Sequence, residues 1–254
     1  MSRTAEIITS AQNPAIKAIR ALEFKKNRQE AGLFAAEGRR ALERARQAGI
    51  AADTVVSVEP PGDWGQARTL KVSEAVMARL SQQNNPTGLI GVFRQSAILS
   101  DFAPASGDVA VSLEDIRDPG NLGTIIRTAD AVSARHIVLV GETCDPFSPD
   151  AVRATMGSLF GVRLCRMTAK QFQSRLAEWP GEIVATAAEA RTDYRRTYAR
   201  PTLLLMGSEG RGLSDALAAQ ANVSVRIPMS GGAESLNVAI AAALMLYEIK
   251  RPEL

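Results

Sequence analysis

From Val109 onward, short β-branched or leucine-rich runs alternate with stretches of helical periodicity, and that alternation commits the chain to an α/β fold on a parallel sheet. The strand-like runs are Val109–Leu113, Ile137–Val140, Leu159–Leu164, Glu182–Thr186, Thr202–Met206 and Val223–Ile227. Helices are expected over Asn121–Ser133, Asp150–Ser158, Lys170–Glu178, Leu213–Ala219 and Leu236–Ile249. Thr202–Met206 is almost continuously apolar, as a strand covered on both faces must be. The first hundred residues alternate as well. A cap and turn at Ser10–Pro14 opens a helix to about Asn27, and Gly38–Ala48 and Val72–Leu80 read as further helices. Strands are expected at Leu33–Glu37, Thr54–Val58 and Leu89–Phe93. Ser96–Asp108 has no periodic pattern, so it divides a domain of residues 1–96 from one of residues 109–254, with 97–108 as linker.

Several chemistries are excluded by composition. Two cysteines (Cys144, Cys165) and one histidine (His136) in 254 residues cannot build a Cys/His zinc cage, and no metal is expected. A single histidine inside an apolar run also argues against a Ser-His-Asp or Cys-His nucleophile system. The longest apolar stretch without a charge, Ser235–Tyr247, is too short for a membrane span. The first residues carry no apolar signal region and cysteines are few, so a cytoplasmic location is expected. Chemistry must therefore come from Arg, Asn, Glu, Ser and backbone groups.

Charge is unevenly placed. Residues 1–100 carry 14 basic against 9 acidic side chains, while the remainder carries 16 against 18. Only 6 of the 30 basic residues are lysines, and arginine suits bidentate phosphate contact and stacking. Lys17, Arg20, Lys25 and Arg28 lie along the first helix, and Arg39, Arg40, Arg44 and Arg46 along the next. A basic first part on a nearly neutral remainder suits a polyanion, although charge alone is better described by a solvated helix face.

Three segments concentrate the candidate chemistry. In Asp115–Arg127 a strand ends and a helix begins, which is where open α/β sheets place ligands. Pro119-Gly120 turns the chain and Asn121 is a candidate helix cap. Leu122, Ile125, Ile126, Ala129 and Val132 form one apolar stripe, from whose centre Arg127 projects roughly 160° away. In the second segment a buried strand runs into Gly207, Gly210 and Gly212 with Glu209 between them. It matches neither a GxGxxG fingerprint nor a P-loop. Such glycines let a backbone approach a ligand closely. The third, Arg226–Ala239, leads into a helix apolar on all sides, expected to be buried against its own domain and a partner subunit. There Ser235 is a candidate cap and Asn237 falls in the first turn.

In order and spacing these segments resemble the three motifs of the SpoU-type (TrmH-like) RNA ribose 2′-O-methyltransferases of the SPOUT superfamily. Asp118-Pro-Gly-Asn-Leu-Gly-Thr-Ile-Ile-Arg127 matches the first, Met206-Gly-Ser-Glu-Gly-Arg-Gly-Leu213 the second, and Ile227-Pro-Met with Glu234-Ser-Leu-Asn-Val238 the third. Val152–Ser158 resembles the segment between the first two. Asn13-Pro14, Phe34–Gly38 and Gln83–Gly88 resemble the family's N-terminal substrate-binding domain. Ala239 departs from the pattern, since many members carry a second Ser there.

The resemblance implies a knotted parallel-sheet methyltransferase domain behind a smaller α/β domain similar to ribosomal protein L30. It implies S-adenosylmethionine as methyl donor, a ribose 2′-hydroxyl as acceptor, and a homodimer with the active site at the subunit interface. Gly207, Ile227 and Leu236 would cradle the cofactor through backbone groups, with Met229 beside them. Asn121, Arg127, Glu209, Ser235 and Asn237 would form the catalytic set. Methyl transfer is an in-line displacement that needs mostly positioning. A guanidinium stays protonated, so Arg127 suits the adjacent phosphate and the developing oxyanion, although the family's arginine is also cast as the base. Ser235 and Asn237 would orient the hydroxyl, and Glu209 would anchor Asn121 or Arg127 or face the sulfonium. Ribosomal RNA is the expected substrate. Transfer RNA, or a non-catalytic RNA-binding assembly role on the same scaffold, are the alternatives. A dinucleotide-dependent oxidoreductase lacks its fingerprint.

Overall fold

A computed structural model describes residues 7–60, 62–208 and 210–254. The chain forms two units, residues up to Ile98 together with Asp145–Gly161, and Leu99–Cys144 together with Val162–Leu254. The segment Asp145–Gly161 thus leaves the 109–254 domain expected from sequence and packs in the first unit. Aromatic packing explains it: Phe147 lies 4.9 Å from the Phe34 ring, and Phe160 lies 4.7 Å from Phe93. No periodic pattern reveals such a long-range cluster.

In the first unit, strands β1 (Leu33–Glu37), β2 (Thr54–Ser57), β3 (Arg68–Lys71) and β4 (Leu89–Arg94) form a sheet of order β1-β4-β2-β3. Only the β2–β3 pairing is parallel. Strand β3 has no counterpart among the strands expected from sequence, because its polar residues face outward at the sheet edge. The single helix expected to about Asn27 is two, α1 (Pro14–Ala21) and α2 (Lys25–Ala31). Carbonyls orphaned at the break are taken up by side chains: Asn27 Nδ2 donates to Ala21 O, and Arg28 Nη1 donates to the carbonyls of Leu22 and Glu23. Arg28 also holds the Asp145 carboxylate at 2.6 Å. It is 3% exposed and so is a structural cation, not part of a polyanion face. Helices α3 (Arg39–Gln47) and α4 (Glu74–Leu80) complete this part of the unit.

The second unit holds β5 (Val109–Glu114), α5 (Pro119–Ala131) and β6 (His136–Val140). After α6 (Pro149–Ala154) of the first unit come β7 (Arg163–Met167), α7 (Ala169–Ala177), β8 (Glu182–Thr186), β9 (Thr192–Asp193) and β10 (Thr202–Met206). The chain closes with α8 (Asp215–Ala218), β11 (Val223–Arg226) and α9 (Val238–Lys250). Its seven-stranded sheet has order β7-β6-β5-β10-β8-β11-β9 and every pairing is parallel. The central strands β5 and β10 are buried along their whole length. The strand expected at Leu159–Leu164 instead begins as a 3₁₀ turn, Ser158–Gly161, and β7 follows it. Upstream, Met156 and Gly157 take positive φ values of 52° and 90°, which stop α6 short of Ser158.

Two helix starts differ from expectation. Helix α5 is capped by Asp118, whose side chain accepts the Asn121 N–H at 2.7 Å, so Asn121 sits inside the first turn. Helix α9 begins at Val238 because Asn237 is its cap, accepting from Ala239 N and Ile240 N. Asx side chains compete for exposed N–H groups, which places them just outside a helix rather than within it. Helix α9 packs on α5. It is buried through Ala242, Met245, Leu246 and Ile249, while Ile240, Leu244 and Tyr247 are exposed. Burial on every side therefore does not hold within one chain.

Candidate active site

Parallel strands bring their C-terminal ends to one edge of the second unit, and there β10 runs into Gly207. Ser208 and Gly212 exchange backbone hydrogen bonds of 3.1 and 2.9 Å, closing the glycine segment into a tight loop. A Cβ at Gly207 would lie 2.0 Å from the Gly212 carbonyl carbon. Glycine is therefore required at 207 by the loop's own backbone, a constraint that sequence alone does not reveal. Gly212 takes φ +67°, the left-handed region, while a Cβ at Gly210 would meet nothing within 4 Å.

Beside this loop lies a cleft of about 270 Å³. Gly207, Ile227, Met229 and Leu236, the four expected cofactor residues, all line it, together with Thr186, Met206 and Ser235. Residues 227–237 form neither helix nor strand, so their backbone groups are not tied into a ladder. Apolar walls with uncommitted backbone at the rim suit a flat heterocycle whose polar edge needs main-chain partners.

Asn237 follows Leu236 at the edge of this cleft. Its Nδ2 donates to Asn121 Oδ1 at 3.0 Å, while its Oδ1 caps α9. The first and third motifs are joined at this bond. Its oxygen being committed to the helix, Asn237 has only its amide hydrogens for other partners. Ser235 is exposed and lines the cleft, with no side-chain hydrogen bond among the described residues. Arg127 is exposed, as its angular position predicts, and makes no ion pair among the described residues. Six positions along α5, it lies about 9 Å up the axis and roughly 120° around from Asn121. Glu209 falls outside the described residues. His136 opens β6 and so lies at the opposite end of the sheet from the cleft. Its Nε2 faces Asp108 at 3.3 Å, yet burial, aided by Arg163, lowers its pKa from 6.5. No group of three or more His, Cys, Asp or Glu able to hold a metal occurs among the described residues, nor is any described helix long and apolar enough to cross a membrane.

One residue of this region is missed by sequence reasoning. Glu114, 6% exposed at the end of β5, accepts from the backbone N–H and hydroxyl of Ser214 at 2.8 and 2.7 Å. It ties the far end of the glycine loop to the central strand. The available signal is an acidic residue closing an otherwise apolar strand.

Comparison with known proteins agrees over nearly the whole chain. The profile of the SpoU rRNA Methylase family matches residues 108–247, and an MRM3-like substrate binding domain matches residues 13–91. The 23S rRNA (guanosine(2553)-2′-O)-methyltransferase of Bacillus subtilis is 29% identical, over 96% of this chain and 98% of its own. The AdoMet-bound rRNA methyltransferase structure from Sinorhizobium meliloti is 40% identical with a TM-score of 0.87, covering 98% of this chain and 99% of that one. AviRb of Streptomyces viridochromogenes, a SpoU methyltransferase solved with AdoMet, is 28% identical with a TM-score of 0.83, over 95% of this chain and 98% of its own. With its three motifs in place and more than half its length matched by the family profile, the chain belongs to the SpoU rRNA methylase family.

Proposed function

We propose that this protein transfers a methyl group from S-adenosylmethionine to a ribose 2′-hydroxyl of ribosomal RNA, working as a homodimer. The observation that carries the reading is the Asn237–Asn121 bond at the edge of the 270 Å³ cleft, which couples the helix bearing Arg127 to the loop bearing Ser235 and Leu236. Family membership supports the reaction class. The Bacillus relative is a 23S rRNA methyltransferase, which favours ribosomal over transfer RNA.

When bound, S-adenosylmethionine supplies an electrophilic methyl on a sulfonium. This chain's residues do the rest. Met206, Ile227, Met229 and Leu236, which line the cleft, would give the cofactor apolar contact, and the irregular backbone of 227–237 would meet its polar edge. Ser235 holds the ribose hydroxyl at the mouth of the cleft. Asn237 keeps α9 and Asn121 in register, a positioning role narrower than the sequence suggests. Arg127 binds the adjacent phosphate and stabilises negative charge on the ribose oxygen as its proton passes to solvent water. Because Arg127 projects from α5 away from Asn121, the set closes when a second subunit supplies the missing wall. The exposed strip Ile240, Leu244 and Tyr247 on α9 is the surface we assign to that second subunit.

The test incubates deproteinised ribosomal RNA and transfer RNA from a strain lacking the gene, side by side, with the protein and labelled S-adenosylmethionine. The expected product is one 2′-O-methylated nucleotide. Label entering only transfer RNA overturns the substrate, and failure to bind S-adenosylmethionine overturns the reaction.

A further inference from the structure

In the first unit a cleft of about 340 Å³ lies among α1, α3, β1 and the 145–161 segment. That volume is in the range of ligand clefts, about 300–1,000 Å³. Its floor is apolar and includes Phe147 and Phe160, which are 3% and 4% exposed. Around it stand Arg20, Arg39, Arg40 and Arg153, with two carboxylates, Glu23 and Glu37, of which Glu37 is taken up by the Ser81 hydroxyl and the Thr87 N–H. Arg153 is paired with Asp150 at 2.6 Å, but Arg20, Arg39 and Arg40 make no ion pair or side-chain hydrogen bond among the described residues.

Two features make this charge hard to explain as ordinary surface. Arg39 and Arg40 are the first two residues of α3, whose first turn carries no acidic residue and whose cap, Gly38, offers no side-chain acceptor. Cations there oppose a helix dipole that is already positive, so the placement works against the stability of the isolated fold. Met156 also lines the cleft. It is 45% exposed, and a φ of 52° holds its backbone where non-glycine residues are uncommon. A simple anion has no use for an aromatic floor, and an apolar chain has none for three unpaired guanidiniums. A nucleotide has both a flat apolar base and a phosphate.

We propose that this cleft holds one unpaired nucleotide of the RNA, base against the apolar floor and phosphate between Arg39 and Arg40. The inference rests on the reading of RNA as substrate, and adds that recognition by the first unit requires an extruded base. Unpaired bases are accessible to such a floor, whereas stacked bases of a duplex are not.

The test titrates the full-length protein with a fluorescein-labelled single-stranded RNA dodecamer and with the corresponding duplex, beside calorimetry with S-adenosylmethionine. Wild type binds the single strand more tightly than the duplex. Ala35→Leu, which fills the cleft from β1 without touching charge, weakens the single strand about tenfold and leaves duplex and S-adenosylmethionine binding unchanged. Should that variant misfold, Arg39→Gln with Arg40→Gln serves, since both side chains are exposed. Its log–log salt slope for the single strand falls by about 0.7 for each phosphate no longer neutralised. The proposal is overturned if wild type shows no preference for single strands, or if folded Ala35→Leu keeps it. An unchanged salt slope in the arginine pair overturns it too. Saturable displacement of the dodecamer by adenosine monophosphate at micromolar concentration would overturn it in favour of a free-nucleotide site. Loss of S-adenosylmethionine binding in wild type would sink the methyltransferase reading without touching this one.

Discussion

Asn237 donates its side-chain amide to Asn121 Oδ1 at 3.0 Å, across 116 positions of sequence, while its own oxygen caps α9. One side chain therefore fixes a helix start and couples two motifs. The two duties separate by substitution. Asn237→Ala removes both, and should cost about 1 kcal/mol of stability together with most of the turnover. Asn237→Asp keeps a good cap but replaces a donor with an acceptor facing Asn121 Oδ1. Its melting temperature should stay near wild type while turnover falls. Wild-type turnover in a folded Asn237→Asp would show that the bond has no part in the reaction.

The glycines of the loop should not behave alike. At Gly207 an added methyl meets the Gly212 backbone at 2.0 Å, so Gly207→Ala should lower thermal stability and S-adenosylmethionine affinity together. At Gly210 the same methyl meets nothing within 4 Å, and stability should move by no more than about 0.5 kcal/mol. Differential scanning fluorimetry with and without cofactor reads both. If Gly207→Ala loses affinity at unchanged stability, the close approach is to the ligand after all.

That contrast marks how far the sequence can be read. The apolar runs of β5 and β10 are legible because burial on both faces leaves no room for polar residues. The cleft beside the glycine loop is legible through motif order, since Gly207, Ile227, Met229 and Leu236 all line it. The capping roles of Asp118 and Asn237 are not, because several Asx or Ser residues precede each helix and only backbone geometry selects one. Nor is the place of Asp145–Gly161, which depends on Phe147 and Phe160 meeting rings more than fifty positions away. Arg28 shows the same limit. Lys25 and Lys26 on the same helix are exposed cations, and only the carbonyls of Leu22 and Glu23 and the Asp145 carboxylate make Arg28 a buried one.

Glu114 and Ser214 should act as a pair. Glu114→Gln retains an acceptor for the Ser214 N–H or hydroxyl, whereas Glu114→Ala leaves both without a partner. The alanine variant should raise the KM for S-adenosylmethionine more than it lowers kcat, and the glutamine should restore much of the loss. Ser214→Ala in the Glu114→Ala background should add little, since the bonds are already gone. Additive losses would mean that the two residues act separately.

Acid should weaken the second unit through His136. Burial lowers its folded pKa below 6.5, so the unfolded chain binds the proton more tightly. Stability is then fully present above pH 6.5 and falls as pH drops through 6.5 toward the lowered folded value. His136→Gln should flatten that part of the profile, measured as melting temperature between pH 7.5 and 5.5. A steeper fall in the variant would show that the Asp108 carboxylate dominates instead.

Assembly should separate from cofactor binding. Ile240, Leu244 and Tyr247 recur along one strip of α9 and are 54%, 37% and 51% exposed, while the helix's other residues hold it against α5. Placing charge there with Ile240→Glu and Tyr247→Glu should leave each chain folded, since neither side chain serves its core. Sedimentation at micromolar concentration should give a dimer for wild type and a monomer for the variant. Turnover should be lost with the dimer, because Arg127 projects away from the face of α5 that carries Asn121. Arg127→Ala should stay dimeric, bind S-adenosylmethionine as wild type does, and lose turnover roughly a hundredfold or more with saturating RNA, through loss of charge where the oxyanion develops. A monomeric variant that methylates at the wild-type rate would show that one chain holds a complete site, and would remove the assembly from the mechanism.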